Sequence, residues 1–139
     1  MYLLLILACW WLPTHSTNFS KHSITLKVTN LQSEKGTIRA VLCNDHNQWL
    51  SSSKYYVGKN CKVEGQAACE LTFTNIPSGT YAISLYHDEN DNGALDLGAF
   101  RIPEEPYGFS NNPSSMFGPP SFEEASFQLQ NHLTLTIKL

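Results

Sequence analysis

Apolar and polar residues alternate with a period of two along most of this chain. Ile24, Leu26 and Val28 alternate with Thr25, Lys27 and Thr29, and Ile38, Ala40 and Leu42 form a second set after the Glu34-Lys35-Gly36 turn. Residues 55–63 give a weaker third segment. Leu71 and Phe73, then Tyr81, Ile83 and Leu85, then Ala125, Phe127 and Leu129 continue the series, and Leu133, Leu135, Ile137 and Leu139 close it. Successive side chains of a strand project to opposite faces, so each segment predicts a strand with one face buried and the other solvated. No long amphipathic helix interrupts them; residues 45–54 have room for one short turn. About seven short strands separated by turn residues predict an all-β fold, an antiparallel β-sandwich.

With 139 residues the chain is one domain by length, spanning residues 24–139. The first twelve residues are uncharged and too short to span a bilayer comfortably, so no transmembrane helix is expected. An apolar N-terminal run followed by Pro13 and small polar residues reads as a secretory signal over residues 1–16, with the mature chain starting at about Thr17. No Lys or Arg precedes the run. Ile6-Leu7-Ala8-Cys9 also approximates a lipoprotein cleavage box, so lipidation of Cys9 is the alternative. Either way the expected location is exported, periplasmic or secreted.

Without Cys9, three cysteines remain: Cys43, Cys61 and Cys69. Cys61 and Cys69 flank Gly65 symmetrically, and a hairpin turning there would set them opposite one another. An oxidising compartment would then close a Cys61–Cys69 disulfide and leave Cys43 free. Three buried thiols behaving as small hydrophobes is the alternative.

Net charge is −3, and its distribution says more than its total. Residues 88–105 hold six acids against one base, Arg101, whereas the remainder has a slight excess of bases. No basic patch exists, which excludes nucleic-acid binding. Within the acidic stretch, Asp88, Asn90, Asn92 and Asp96 occupy positions 1, 3, 5 and 9 of a calcium-loop pattern, with Gly93 at position 6. Alternate residues of such a loop turn their oxygens inward, glycine permits the sharp turn, and Ala94 at position 7 supplies only its carbonyl. Ala99 stands where a helical calcium loop has its bidentate glutamate, so Glu104 or Glu105 would have to fold back to complete a Ca²⁺ site. The same residues also read as an Asx-rich turn between strands. His87, just before the loop, could ligate a transition metal alongside Asp88, act as a base, or wall the loop through a hydrogen bond; His46 beside Asp45 is its one candidate partner.

Asn75-Ile-Pro-Ser-Gly-Thr-Tyr81 makes a turn that delivers Tyr81 into a strand as a large inward residue. This entry resembles the corner of transthyretin-like (prealbumin-like) and immunoglobulin-like sandwiches, in which the hydroxyl satisfies nearby backbone. Residues 97–121 break the regularity, with five of the seven prolines and the aromatics Phe100, Tyr107, Phe109 and Phe117. Four aromatics and Met116 predict an ordered loop anchored over one sandwich end, because a structureless loop of this length is uncommon in a compact domain.

Four motifs carry a family resemblance: Pro77-Ser-Gly-Thr-Tyr-Ala82, His87-Asp-Glu-Asn-Asp-Asn-Gly93 with Asp96, residues 102–112 (IPEEPYGFSNN), and residues 117–125 (FGPPSFEEA). With these the chain resembles the uncharacterised bacterial exported family called domain of unknown function 2141, over about Ile24 to Leu139. The resemblance implies a small exported β-sandwich of unknown activity. No catalytic residues are expected. Ser110 lacks the second glycine of a nucleophile elbow, and clustered acids beside a glycine loop more often hold a cation than hydrolyse glycosides. The resulting expectation is a non-enzymatic domain binding a ligand or protein at the cell envelope. A carbohydrate-binding module, using Trp49, Tyr55, Tyr56, Tyr107 and Phe109 on a saccharide, is the alternative, and a carboxylate- or metal-dependent hydrolase a more distant one.

Overall fold

The alternating segments become strands β1 (Lys21–Thr29), β2 (Thr37–Cys43), β3 (Val57–Lys62), β4 (Cys69–Pro77) and β5 (Gly79–Asp88), then β6 (Tyr107–Phe109), β7 (Ser126–Leu129) and β8 (Leu133–Lys138). They are drawn from a computed structural model that describes residues 20–114 and 117–139. The expected signal segment, Cys9 and Met116 lie outside the described residues. The described residues form eight strands where about seven were expected, because β6 forms inside the proline-rich segment where no alternation announces it.

One sheet has the order β4-β1-β8 and the other β3-β2-β5, with β6 and β7 sharing the second edge of β5. β6 lies along Ser84–Tyr86 and β7 along Gly79–Ala82. The sheets face each other as a sandwich. Ile24, Leu26 and Val28 of β1 meet Ile38, Leu42 and Ile83 from the other sheet, all fully buried. Each such side chain contributes roughly 1.5–3 kcal/mol by leaving water.

Three features depart from plain antiparallel alternation. β8 runs parallel to β1, from Ile24↔Leu133 to Thr29↔Lys138, because the β7–β8 connection crosses between sheets at the pole where β1 begins. A bulge between His22 and Ile24 places Asn75 at φ 60° and brings Ile76, rather than Asn75, to the core side. The third departure corrects the expected hairpin about Gly65. β3 pairs only with β2 and β4 only with β1, so this connection crosses from one sheet to the other. Cys61 and Cys69 are joined there as a disulfide across the sandwich edge, Cα atoms 6.4 Å apart, and Cys43 is free and buried.

Tyr81 takes the corner position. Its hydroxyl donates to the Pro77 carbonyl at 3.0 Å, and burial, reinforced by Tyr56, raises its pKa above the ordinary phenol value. On the outer face of the five-stranded sheet, Ala82, Phe109 and Ala125 form a second small cluster closed by Trp49 and Phe122. The short helix α1 (Phe122–Ala125) supplies two of these residues. Its start is fixed by a capping box between Ser121 and Glu124, a Ser-x-x-Glu signal readable in the sequence.

In the proline-rich segment, the described residues 97–114 and 117–121 are folded back only in part. Phe109 is 9% exposed and fixes β6, but Phe100 and Phe117 are 96% and 98% exposed. The expectation that all the aromatics anchor this segment is therefore corrected. Backbone and polar contacts hold it instead. Ser110 is fully buried, accepting from the Ile83 N–H at 2.8 Å and donating to the Ala125 carbonyl. Asn111 donates to the Glu124 and Ser126 carbonyls, and Asn112 bonds Thr136 and Lys138 on β8.

Candidate functional site

Alternation in β5 separates two neighbours. His87 follows Tyr81, Ile83 and Leu85 to the core side, whereas Asp88 follows Ala82, Ser84 and Tyr86 to the outer side. His87 is fully buried, and its Nε2–H donates to the Lys35 carbonyl at 2.7 Å. Nδ1 has no hydrogen-bond partner, and Glu89 Oε1 lies 3.9 Å away. The structure thus does not bring His87 into the ring that Asp88 begins. His46 sits in a short 3-10 turn after β2, away from both.

Asp88 ends β5 with a carboxylate that is fully buried and fully bonded. Arg39 Nε, from the neighbouring strand β2, donates to Oδ2 at 2.6 Å; the Gly93 N–H donates to the same oxygen at 2.9 Å and the Asn92 N–H to Oδ1 at 3.0 Å. Burial raises the pKa of this carboxyl, but the Arg39 hydrogen bond, the two N–H donors and the guanidinium charge outweigh it, leaving it below the ordinary value of 3.8. Reciprocally, the Asp88 hydrogen bond raises the pKa of Arg39. The approach of β2 depends on Gly36 at φ 88°, where a Cβ would collide with the Asp88 carbonyl and the Glu89 Cα.

Two Asx turns continue the loop. Asn90 Oδ1 accepts from the Asn92 N–H at 3.0 Å, and Asn92 Oδ1 from the Ala94 N–H at 2.9 Å. Their Nδ2 groups both donate to Asp96, at 2.6 and 2.8 Å. Glu105 folds back and is 7% exposed, accepting from the Glu89 N–H at 2.9 Å and the Asp96 N–H at 3.0 Å. Glu104 does not enter; its N–H bonds the Asp96 carbonyl at 2.9 Å while its carboxylate lies over Gly98. Asp91 points outward, receiving Thr37 Oγ1 at 2.6 Å and an ion pair from Lys62, and both lower its pKa. Tyr86 donates its hydroxyl to the Gly93 carbonyl at 3.1 Å.

The loop gathers Asp88, Asn90, Asn92, Asp96 and Glu105 around one turn, all with oxygen groups suited to a hard cation. The fit is partial. Each asparagine Oδ1 has a second lone pair free for a metal, but Arg39 already balances the charge of Asp88, and the two neutral asparagine NH₂ groups already donate to Asp96. No cluster of three or more His, Cys, Asp or Glu set to hold a metal is found among the described residues. Arg39, Gly36, Thr37 and Lys62 were not singled out by sequence reasoning. The available signal for Arg39 was a charge on the solvent parity of an otherwise apolar strand.

The remaining candidates are scattered. Trp49 lies 5.9 Å from both Phe109 and Phe122, Tyr107 is 5.7 Å from Phe109, and Tyr56 packs on Tyr81. These rings fill two separate places instead of forming one platform. Ser110, with its hydroxyl buried and bonded at both sides, is a structural clasp.

No curated protein and no solved structure matches the chain significantly. One family model does, described as "Uncharacterized protein conserved in bacteria", and it covers residues 26–136, from Leu26 in β1 nearly to the end of β8. The loop and the strands that hold it fall within that span, and the chain belongs to this bacterial family, DUF2141.

Proposed function

We propose that this chain is an exported, non-catalytic β-sandwich domain whose Asp88–Asp96 loop takes up a Ca²⁺-class cation weakly while its surface binds a partner at the cell envelope. The observation that carries the cation reading is the return of Glu105 to a loop with oxygen side chains at positions 1, 3, 5 and 9. Its carboxylate bonds the backbone of the loop at Glu89 and at Asp96 without a helix to deliver it. Export is supported by the uncharged apolar run before Pro13 and by the Cys61–Cys69 pairing, since such bonds persist in oxidising compartments. A non-catalytic role is supported by carboxylates bonded to backbone N–H groups and Arg39, which leaves them poorly placed as general acids or bases.

Arg39 favours a second reading, in which its guanidinium is the resident cation and the loop is complete without metal. Thermal melting separates the two. A site filled to a hundredfold excess over its dissociation constant stabilises by about 2.7 kcal/mol. Millimolar Ca²⁺ is expected to raise Tm relative to chelator, and Asp96→Asn to remove the rise. Identical curves with calcium and chelator would refute the cation reading and leave the Arg39 one.

A further inference from the structure

The acidic loop contains the chain's one Asn–Gly step, Asn92-Gly93. In such a step the glycine backbone nitrogen can attack the asparagine side-chain carbonyl carbon, because no Cβ on the glycine blocks the approach. The new N–Cγ bond closes a cyclic imide, and the side-chain nitrogen leaves as ammonia. Water then opens the imide at either carbonyl, giving aspartate or isoaspartate, and no other reactant is needed. Asn92 and Gly93 are both exposed to that water. The reacting groups are nevertheless held. The Gly93 N–H, which carries the nucleophile, is bonded to the buried Asp88 carboxylate at 2.9 Å, and Arg39 fixes the same carboxylate from β2. Asn92 Oδ1 accepts from the Ala94 N–H at 2.9 Å, and Nδ2 donates to Asp96 at 2.8 Å. The Gly93 carbonyl is pinned by the Tyr86 hydroxyl. Asp96 is itself fixed, its N–H on Glu105 and its carbonyl on the Glu104 N–H, at the foot of the hairpin that the Leu97–Pro103 bridge closes.

We propose that Asn92 is a site of spontaneous covalent modification, conversion to aspartate or isoaspartate, and that the bonds to Asp88 and Asp96 hold it in the amide form. Attack requires the Gly93 N–H to leave Asp88 while the Asn92 amide leaves Ala94 and Asp96. The reaction therefore proceeds from an opened loop, at the rate of an unfolded chain multiplied by the open fraction. Asp88 gives no help as a base, because Arg39 and two N–H groups already occupy its lone pairs. Asn90, the other asparagine of the loop, is followed by Asp91, whose side chain hinders the same attack. The conversion is one-way. Aspartate at position 92 replaces the donor to Asp96 with a second carboxylate. Isoaspartate adds a methylene to the backbone between the two N–H groups that Asp88 accepts. Neither product lets the loop close as before, so each opening that reacts is recorded permanently. A bound cation lowers the open fraction further, and the inference stands whether or not the loop takes one.

Incubation of the full chain at neutral pH, followed by peptide mapping with tandem mass spectrometry, tests this. In guanidinium chloride with the disulfide intact, Asn92 should convert to aspartate and isoaspartate while Asn90 persists as the amide. In buffer alone the folded chain should convert Asn92 at least about tenfold more slowly, as a segment that opens rarely does. Arg39→Ala, which loosens Asp88, should speed conversion in buffer by about threefold or more. Asp96→Ala, which removes the acceptor of both asparagine amides, should do the same. Circular dichroism checks that each variant is folded, and Asp96→Ala decides if Arg39→Ala is not. Faster conversion in either folded variant supports the proposal. It is overturned if the folded chain converts as fast as the denatured one, if Asn92 persists in guanidinium chloride, or if the folded variants convert at the parental rate.

Discussion

The Asp88–Asp96 loop and the Leu97–Pro103 hairpin are chain neighbours of similar length, and they resolve their local chemistry in opposite ways. In the loop, Asp88, Asp91, Asp96 and two asparagines are brought together with the returning Glu105, and the carboxylates are met by N–H donors, amides, Arg39 or Lys62. In the hairpin, three apolar side chains are left in water on a turn whose φ angles suit glycine. The polar segment satisfies most of its hydrogen-bonding groups within the fold, and the apolar one leaves its side chains in water. A concentration of charge is not by itself evidence of a missing ligand, because hydrogen bonding can satisfy it internally. Exposed apolar surface has no comparable internal remedy.

The largest test of that contrast is Arg39→Ala. It leaves the Asp88 carboxylate buried without its ion partner, and urea unfolding should show a loss of about 3 kcal/mol, at the lower end for broken buried pairs because Arg39 keeps some exposure. Wild-type stability in this variant would show that the backbone N–H groups alone hold Asp88. If the loop also accepts calcium, the variant should recover more stability from Ca²⁺ than the parent, since a competing charge is gone.

Removing the Cys61–Cys69 bridge by paired serine substitution is expected to cost about 2–3 kcal/mol, the closure entropy of so short a loop. Lys62, the ion partner of Asp91, adjoins Cys61, so amide hydrogen exchange at residues 89–93 should quicken as well. Unchanged exchange there would separate the bridge from the loop. Glu105→Gln should cost about 2 kcal/mol, because an amide NH₂ then faces a backbone N–H that needs an acceptor. Chemical denaturation reads this directly, and no change would mean that water replaces the carboxylate.

Acid should act on the loop and spare the hairpin. Asp88 has a lowered pKa in the folded protein, so its contribution is complete above the ordinary value of 3.8 and is lost as pH falls below it towards the folded value. In Arg39→Ala that part of the acid-induced loss should shrink; an unaltered pH profile would place the acid sensitivity elsewhere. The smallest expected effect is on the other side of the comparison. Phe100→Gly should stabilise by about 0.5 kcal/mol, the relief of left-handed strain less the entropy glycine loses on folding. A destabilised Phe100→Gly would mean that the ring makes contacts in solution and is not a free tip.

Much of the architecture was legible because alternation is a local property with a direct physical reading. Strands β1, β2, β4 and β5 fall where alternating apolar residues place them, and the Pro77–Tyr81 turn ends in the expected corner bond. β6 was not legible. Its three residues carry no period, and their pairing with Ser84–Tyr86 arises from the Ser110 clasp and the Phe109 contact. The candidate loop was legible in its spacing, but not in its electrostatics, because Arg39 lies forty-nine positions before Asp88.

The sequence by itself determined which residues face inward, where the chain turns, and that Asp, Asn and Gly cluster between residues 88 and 96. These follow from strand periodicity and from the conformational preferences of individual residues. Tertiary structure alone decided that β3 and β4 belong to different sheets, that β8 runs parallel to β1, that Glu105 rather than Glu104 closes the loop, and that Phe100 stands in solvent. Each of these depends on which distant segments meet. That choice is set by the free energy of burying both sheet faces together, which no local window of sequence contains.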